Sequence, residues 1–214
     1  MSKEYDIEMW KDVLNTLPDS YIKWFKEEGE YLRSNITKDA TVLEIGCGDG
    51  RSLKDILSVT KNLTGIEHDK ESIEIVNKEF SKYSQVKIIF AEAKGLPFED
   101  KSFDYVICMT TFANFGDDKF KILDEMKRVM KDNGTIIISV FSENAFEERM
   151  KLYKKVNFPI KKIEGTTVHY ESKYDVGISE QFTEKQLREI FNKAKLNIIE
   201  LKKLDISYIV KLNK

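Results

Sequence analysis

The chain of 214 residues carries a formal net charge of −2, with 41% apolar and 34% charged residues. This length suits one domain with its own core, and the near-neutral charge argues against recruitment to nucleic acid or to an anionic membrane. No apolar run approaches the roughly 20 residues of a transmembrane helix. Residues 1–5 do not resemble a secretion signal, so we expect a cytoplasmic protein, either a monomer or a homodimer. Cys47 and Cys108 lie in apolar runs typical of buried thiols, and no metal-ligand spacing is present.

The N-terminal part of the chain is predicted to be helical. Apolar residues between positions 4 and 36 follow helical spacing, with a break at Pro18 after which a second helix starts. We therefore expect residues 1–37 to form a helical cap in front of the first strand.

A strand, a glycine-rich turn and a helix follow in succession. The apolar run Val42–Ile45 is followed by Gly46, Gly48 and Gly50, and a helical pattern begins at Arg51. Glycine permits positive φ and close approach of the backbone to a ligand, and the free N–H groups of the helix start can face that ligand. The dinucleotide-binding pattern requires glycine where Arg51 stands, so that pattern is not met.

The stretch from residue 44 to residue 50 resembles the first motif of class I methyltransferases that use S-adenosylmethionine. In that family the acid and the glycine turn hold the amino acid part of the cofactor. The resemblance therefore implies S-adenosyl-L-methionine as cofactor and S-adenosyl-L-homocysteine as product. The cofactor-binding positions that it implies here are Glu44, Gly46, Cys47, Gly48 and Gly50.

The second predicted strand, residues 63–67, ends in an acid. Glu67 lies 21 residues after Gly46 and is placed to accept hydrogen bonds from both ribose hydroxyls of an adenosine cofactor. The resemblance puts His68 beside the adenine ring. An exposed acid and a surface histidine at a strand end are the alternatives for these two residues.

The loop after the third predicted strand, residues 86–90, is the most specific stretch. Residues 91–106 contain an acid–Ala pair, then Leu-Pro-Phe, then Ser-Phe-Asp, and closely resemble the same segment of small-molecule methyltransferases. In that family the acid accepts a hydrogen bond from the adenine amino group, and the next N–H can bond a ring nitrogen. These roles fall on Glu92, where aspartate is more usual, and on Ala93.

The fourth predicted strand, residues 105–109, leads into a loop at the carboxyl edge of the sheet, beside the glycine turn. We assign Met109 and Thr110 to the cofactor, and Phe112 and Asn114 to the substrate pocket, although loop packing or capping would also explain the last two. The prolines that nucleic-acid and glutamine amino methyltransferases place here are absent. Their absence argues against a base amino group or an amide as the methyl acceptor.

The next helix is predicted to end at a left-handed stop formed by Asn133 and Gly134, before a buried fifth strand at residues 135–140. Residues 40–141 would then form the cofactor-binding core. Phe141, directly after this strand, and Tyr21, in the N-terminal helices that often cover the cofactor in this family, are further candidates for the substrate pocket. Packing of Tyr21 against the sheet is its alternative role.

Residues 142–182 go beyond the minimal fold. A charged helix from Glu143 to about Lys155 and a hairpin or extended lid over residues 163–178 are predicted. The family often places substrate-specifying insertions here, so we expect a substrate lid. His169 and Tyr170 are its acid/base candidates, with a structural histidine as the alternative. Lysines at positions 151–162 could attract an anionic substrate or form a solvated face.

The last segment, residues 183–214, is predicted to hold a helix that starts with a capping box of Thr183 and Gln186, followed by two strands. The expected fold is α/β: a Rossmann-like, doubly wound sheet of seven strands, six parallel and the last antiparallel, with N-terminal helices and a lid insertion after the fifth strand. The whole chain would be a single domain.

The function expected from this resemblance is methyl transfer from S-adenosylmethionine to an oxygen or nitrogen of a small-molecule acceptor. Two alternatives stay open: a tRNA or protein methyltransferase, supported only by the lysine cluster, and a non-catalytic domain that binds the adenosyl cofactor. A dehydrogenase is disfavoured by Arg51 and by Glu92. No membrane partner is expected, and the charge argues against nucleic acid as the acceptor.

Overall fold

The computed structural model describes residues 16–172 and 175–214, and the predicted helix over residues 4–15 lies outside them. Its main sheet has seven strands in the order β3-β2-β1-β4-β5-β10-β9. Strands β1 to β5 run parallel, while β10 is antiparallel to both β5 and β9. The strands are β1 (Val42–Ile45), β2 (Leu63–Glu67), β3 (Lys87–Phe90), β4 (Phe103–Met109), β5 (Met130–Phe141), β9 (Asn197–Lys203) and β10 (Ser207–Asn213). The predicted fold class is thereby confirmed.

Six helices accompany the strands in the described part of the chain. They are α1 (Asp19–Asn35), α2 (Arg51–Ile56), α3 (Lys70–Phe80), α4 (Lys119–Val129), α5 (Phe146–Lys155) and α6 (Glu184–Lys193). None of them is both long and apolar enough to cross a membrane. The predicted capping box of α6 is confirmed, because Thr183 and Gln186 cap each other reciprocally.

Both faces of the main sheet are covered, as continuous apolar strands require. Successive residues of β1 enter different clusters: Leu43 and Ile45 pack with α4 and α6, and Val42 packs with α2 and α3. This alternation follows from the two-residue period of a strand. The loops that follow β1, β2, β4 and β5 lie at one edge of the sheet, because these strands are parallel.

The end of α4 differs from the prediction. The helix stops at Val129, Met130 is already extended, and β5 begins there. Gly134 lies inside β5 rather than in a left-handed stop. A Cβ at Gly134 would approach the backbone oxygen of Asp104 to 2.9 Å. Glycine is therefore required for close packing of β5 on β4, and not for helix termination.

Residues 142–182 hold a short 3-10 turn, α5 and a second, antiparallel sheet. Its strands are β6 (Ile160–Glu164), β7 (Thr167–Ser172) and β8 (Asp175–Ser179), in that order. A third strand thus joins the hairpin that the sequence predicted. This small sheet and α5 share an apolar cluster with the first half of α1, including Tyr21, Trp24 and Val168. The N-terminal helix and the residue 142–182 segment therefore pack together beside the end of β5.

Candidate active site

The glycine turn between β1 and α2 is left-handed at alternate residues. Gly46, Gly48 and Gly50 have φ of 69°, 50° and 78°. A Cβ at Gly46 would collide with Thr111, and one at Gly50 with Phe80, whereas one at Gly48 would meet nothing within 4 Å. The turn is thus packed against protein on both sides and opens at Gly48, where a ligand can approach the backbone.

Glu67 lies at the end of β2 and accepts hydrogen bonds from several donors. Its Oε1 accepts the backbone N–H groups of His68 (2.8 Å) and Asp69 (3.1 Å), and its Oε2 accepts that of Gly48 (3.0 Å). His68 Nδ1 lies 3.0 Å from Oε1. Although burial opposes ionisation, these donors, with His68 the strongest, lower the pKa of Glu67 below its ordinary value. Glu67 is therefore an ionised acceptor that also ties β2 to the glycine turn.

Glu44, in β1, has the opposite environment. It is 2% exposed, and its Oε2 has no hydrogen-bond partner. Burial raises the pKa of Glu44 to about 8, and Arg51 opposes that rise. A buried carboxylate oxygen without a donor is costly, which makes it a natural partner for a ligand cation. Together with the opening at Gly48, this orphaned oxygen fits the amino acid end of S-adenosylmethionine.

A buried charge network joins Glu44 to helix α1. Arg51 Nη2 lies 2.7 Å from Glu28 Oε2, and the guanidinium stacks 4.0 Å above the centre of the Phe25 ring. Glu28 is fully buried, and Arg51 interacts electrostatically with both Glu28 and Glu44. Sequence analysis missed Glu28. The available signal was its position four residues after the buried Trp24, on the apolar stripe of α1.

The end of β4 is strained and attached to the glycine turn. Thr110 has φ of 66°, a rare conformation for a β-branched residue, and its N–H donates to Ser139 O at 3.0 Å. The Thr111 hydroxyl donates to Gly46 O at 3.0 Å. Thr111 was not predicted as a site residue, and no local sequence pattern identifies it. Met109 is buried in the core.

Three predicted cofactor residues lie along the rim formed by β2 and β3. The hydrogen bond to Glu67 raises the pKa of the half-exposed His68, and the charge of Glu92 adds to this effect. Glu92 is exposed, while Ala93 packs partly against the core. Cys47 is buried against Gly65, and burial raises its thiol pKa far above the ordinary value, so this thiol stays neutral.

Two predicted substrate residues, Tyr21 and Phe141, do come together. Their ring centres are 5.9 Å apart, and Trp24 stands 5.0 Å from Phe141. We call the set of Tyr21, Trp24, Phe141 and Tyr153 the aromatic cluster. Trp24 Nε1 donates to Ser139 Oγ at 3.0 Å, which connects this cluster to the strand end beside Thr110.

The other two predicted substrate residues lie elsewhere. Phe112 is fully buried in the core, with Phe115, Phe182 and Phe191 around its ring. Asn114 is exposed in the loop after β4. The structure therefore does not bring Phe112 or Asn114 to the aromatic cluster, because Phe112 packs in the core against the helices that flank β4.

His169 and Tyr170 occupy opposite faces of β7. Tyr170 packs beside the aromatic cluster, with its ring 5.0 Å from that of Phe158. His169 Nε2 lies 3.0 Å from Oε2 of Glu164, which is more than half exposed. The two acid/base candidates are thus separated, and only Tyr170 is on the side of the cluster.

Comparison with known proteins agrees with this geometry. Residues 43–138 match the family described as "Methyltransferase domain". An uncharacterized protein of Methanocaldococcus jannaschii is 32% identical over 163 residues, covering 69% of this chain and 74% of its own length. The demethylmenaquinone methyltransferase of Bacillus licheniformis is 34% identical over 106 residues, which span 48% of this chain and only 45% of that enzyme.

Solved structures share the fold over nearly the whole chain. The PH0226 protein from Pyrococcus horikoshii superposes with a TM-score of 0.76 at 21% identity, covering 100% of this chain and 99% of that one. A SAM-dependent methyltransferase from Methanosarcina mazei gives a TM-score of 0.66 at 23% identity over 86% and 96% of the two chains. The family match over residues 43–138 and the 32% identical relative, together with this shared fold, establish that the chain belongs to the class I S-adenosylmethionine-dependent methyltransferases.

Proposed function

We propose that the enzyme methylates an oxygen or nitrogen of a small-molecule acceptor bound at the aromatic cluster. The observation that carries this proposal is the hydroxyl of Tyr21, which is buried without a hydrogen-bond partner beside Phe141. An aromatic-lined site with a few convergent polar atoms suits a small organic molecule. The Bacillus licheniformis relative, named for demethylmenaquinone, supports the same substrate class.

In this proposal, residues 40–141 bind the cofactor, which supplies an electrophilic methyl group. Glu44 would pair with its ammonium group and Glu67 would accept its ribose hydroxyls, while Glu92 would accept the adenine amino group. Helix α1 and the small sheet would cover the acceptor, exclude water and hold it within about 3–3.5 Å of the methyl carbon.

A buried tyrosine does not serve as a base in this arrangement. Burial raises the pKa of Tyr21 well above its ordinary value, so its hydroxyl stays protonated and acts as a donor. His169 faces away from the aromatic cluster. A methyl acceptor that binds in its ionised form requires no base. An acceptor of this kind suits the residues of the aromatic cluster.

The competing tRNA or protein acceptor would have to be recognised by the lysines at positions 151–162. Lys151 pairs with Glu148, and Lys162 pairs with Glu164, so part of that charge is already neutralised. This pairing favours the small-molecule acceptor.

The test is transfer of a radiolabelled methyl group from S-adenosylmethionine into a fractionated cell extract, with the Gly48→Val protein as the inactive control. We expect label in the small-molecule fraction. Label in RNA or protein would establish the competing acceptor, and absence of both label and S-adenosylhomocysteine would indicate a non-catalytic domain.

A further inference from the structure

Arg149, on α5, is fully buried. Its Nη1 donates to Gln181 Oε1 at 3.0 Å, and its Nη2 donates to the carbonyl (3.0 Å) and hydroxyl (2.8 Å) of Ser179. All these acceptors are neutral. Among the side chains that the structure describes, in residues 16–171 and 177–214, no carboxylate lies within ion-pair distance of this guanidinium, and the adjacent Glu148 pairs with Lys151 instead.

One donor of this guanidinium remains unused. Arg149 Nε is buried, and the part of the chain that the structure describes offers a hydrogen-bond acceptor neither to it nor to the hydroxyl of Tyr21. The two side chains flank the same ring: Arg149 lies 4.6 Å from the centre of Phe141, and Tyr21 lies 5.9 Å from it. Burial and the neighbouring Tyr153 raise the pKa of Tyr21, the charge of Arg149 opposes this rise, and that of Glu148 adds to it.

This combination is unfavourable for the protein alone. Buried charges in proteins are normally paired, and buried donors normally find acceptors. Here the positive charge of Arg149 and two donors without acceptors, Arg149 Nε and the Tyr21 hydroxyl, lie at one end of β5. The charge network of Arg51, which extends to Glu44, is next to them. An anionic oxygen at this place would satisfy both donors and neutralise the charge.

We propose that Arg149 and Tyr21 bind an anionic oxygen of the methyl acceptor, so that the substrate is a planar or aromatic compound bearing a carboxylate or an ionised hydroxyl. This inference rests on the proposed function and names the substrate class of the same site. Phe141 and Tyr153 would contact the planar body of the compound. Tyr21 would donate from its neutral hydroxyl, and Arg149 from Nε.

A purely structural role for Arg149 would be to fasten α5 to β8 through Ser179 and Gln181. That role predicts that Arg149→Gln lowers the stability of the protein, but it predicts no preference for an anionic over a neutral ligand. It also predicts that Tyr21→Phe has no effect on the binding of any ligand. Selectivity for charge therefore separates the two roles.

The experiment is calorimetric titration of the protein loaded with S-adenosylhomocysteine, at pH 8. The probes are benzoate with its neutral match benzamide, and 4-nitrophenolate with its neutral match 4-nitroaniline. We expect at least one anion to bind roughly 10- to 100-fold more tightly than its match, the range for hydrogen bonds to charged groups. The benzoate and phenolate arms distinguish a carboxylate from an ionised hydroxyl.

Variants complete the experiment. Tyr21→Phe and Arg149→Gln should each reduce the preference for the anion, while Tyr83→Phe, which removes a tyrosine hydroxyl between α3 and β3 and outside the aromatic cluster, should not. If Arg149→Gln fails to fold, the anion preference measured for Tyr21→Phe still tests the proposal. Equal binding of anion and neutral match, no binding of either anion, or an unchanged preference in Tyr21→Phe would overturn the proposal.

Failure of this inference is distinguishable from failure of the proposed function. A labelled small-molecule product without an acidic group would overturn the anionic acceptor and leave small-molecule methyl transfer intact. Label in RNA or protein would overturn the proposed function itself.

Discussion

Two buried acids at the ends of neighbouring parallel strands behave in opposite ways. Glu67 is 8% exposed and Glu44 is 2% exposed, so both have lost most of their water. Glu67 receives three backbone N–H groups and the ring of His68, and its pKa is lowered. Glu44 has one oxygen without any donor, and its pKa is raised to about 8. Burial alone does not determine ionisation; the donors aimed at the carboxylate determine it.

In the proposed cofactor site, this difference gives the two acids different roles. At the end of β2, Glu67 is already ionised and can accept further hydrogen bonds. In β1, Glu44 has an oxygen without a donor, and a ligand cation would stabilise its ionised form. Four changes test this contrast, starting with the largest expected effect.

Gly48→Val should reduce cofactor binding below detection. The substitution places side-chain bulk at the opening between the two acids, and a β-branched residue is strained at φ of 50°. Calorimetry with S-adenosylhomocysteine measures the effect. Gly165→Val is the matched control, because Gly165 has φ of 60° with equally open space but lies in the β6–β7 turn. Equal loss of binding in both variants would refute a ligand role for Gly48.

Arg51→Met should lower the free energy of unfolding by about 3–5 kcal/mol, since it leaves the fully buried carboxylate of Glu28 without its cation. The loss should shrink as the pH falls, because Glu28, whose pKa is raised by burial, then becomes neutral. Denaturant titrations at several pH values measure this. Arg33→Met, which breaks a partly exposed pair with Asp55, should cost no more than about 1 kcal/mol. Equal costs for the two arginine variants would contradict the buried network.

Glu67→Ala should weaken cofactor binding by about 1–3 kcal/mol, because hydrogen bonds from the ribose hydroxyls to a charged acceptor are lost. Equilibrium dialysis against S-adenosylhomocysteine gives the affinity. Glu74→Ala removes an exposed acid of α3 and should leave affinity unchanged. A Glu67→Ala protein that binds as well as wild type would remove Glu67 from the ribose site.

The smallest effect concerns pH. With a pKa of about 8 for Glu44, binding of an ammonium group at lower pH must first remove a proton from Glu44. The ratio of wild-type to Glu44→Gln affinity should therefore rise about tenfold per pH unit between pH 6 and 7 and level off near pH 8. Titration of the cofactor itself cancels in this ratio. Glu67, already ionised, should contribute no slope there, and a flat ratio would exclude Glu44 as the ammonium partner.

Local sequence patterns were enough for the main sheet, the glycine turn and the position of Glu67 at the end of β2. Each depends on residues within one strand–turn–helix unit, where periodicity and glycine spacing carry the information. The same reasoning placed Phe112 and Phe141 alike, as aromatic residues beyond a strand. Only the packing of the flanking helices decides that Phe112 lies in the core and that Phe141 lies at the carboxyl edge of the sheet.

The remaining site residues depend on distant parts of the chain. Glu28 meets Arg51 across 23 positions, Thr111 meets Gly46 across 65, and Arg149 meets Gln181 across 32. Glu28 and Arg149 stand in helices among other charged residues, where a charge ordinarily faces water. Their burial follows from how α1 and α5 pack against distant parts of the chain, and the spacing of Glu28 from Trp24 is the one local indication of it.

Trp24 contacts both halves of the site at once. Its indole N–H donates to Ser139 on the side of the proposed cofactor site, and its ring lies against Phe141 on the side of the proposed acceptor site. The protein has two tryptophans, and Trp10 is the other. Replacing Trp10 with phenylalanine would leave one tryptophan, whose emission wavelength and intensity should respond separately to each ligand. The enzyme thus carries an intrinsic optical reporter for the order in which its ligands enter and leave.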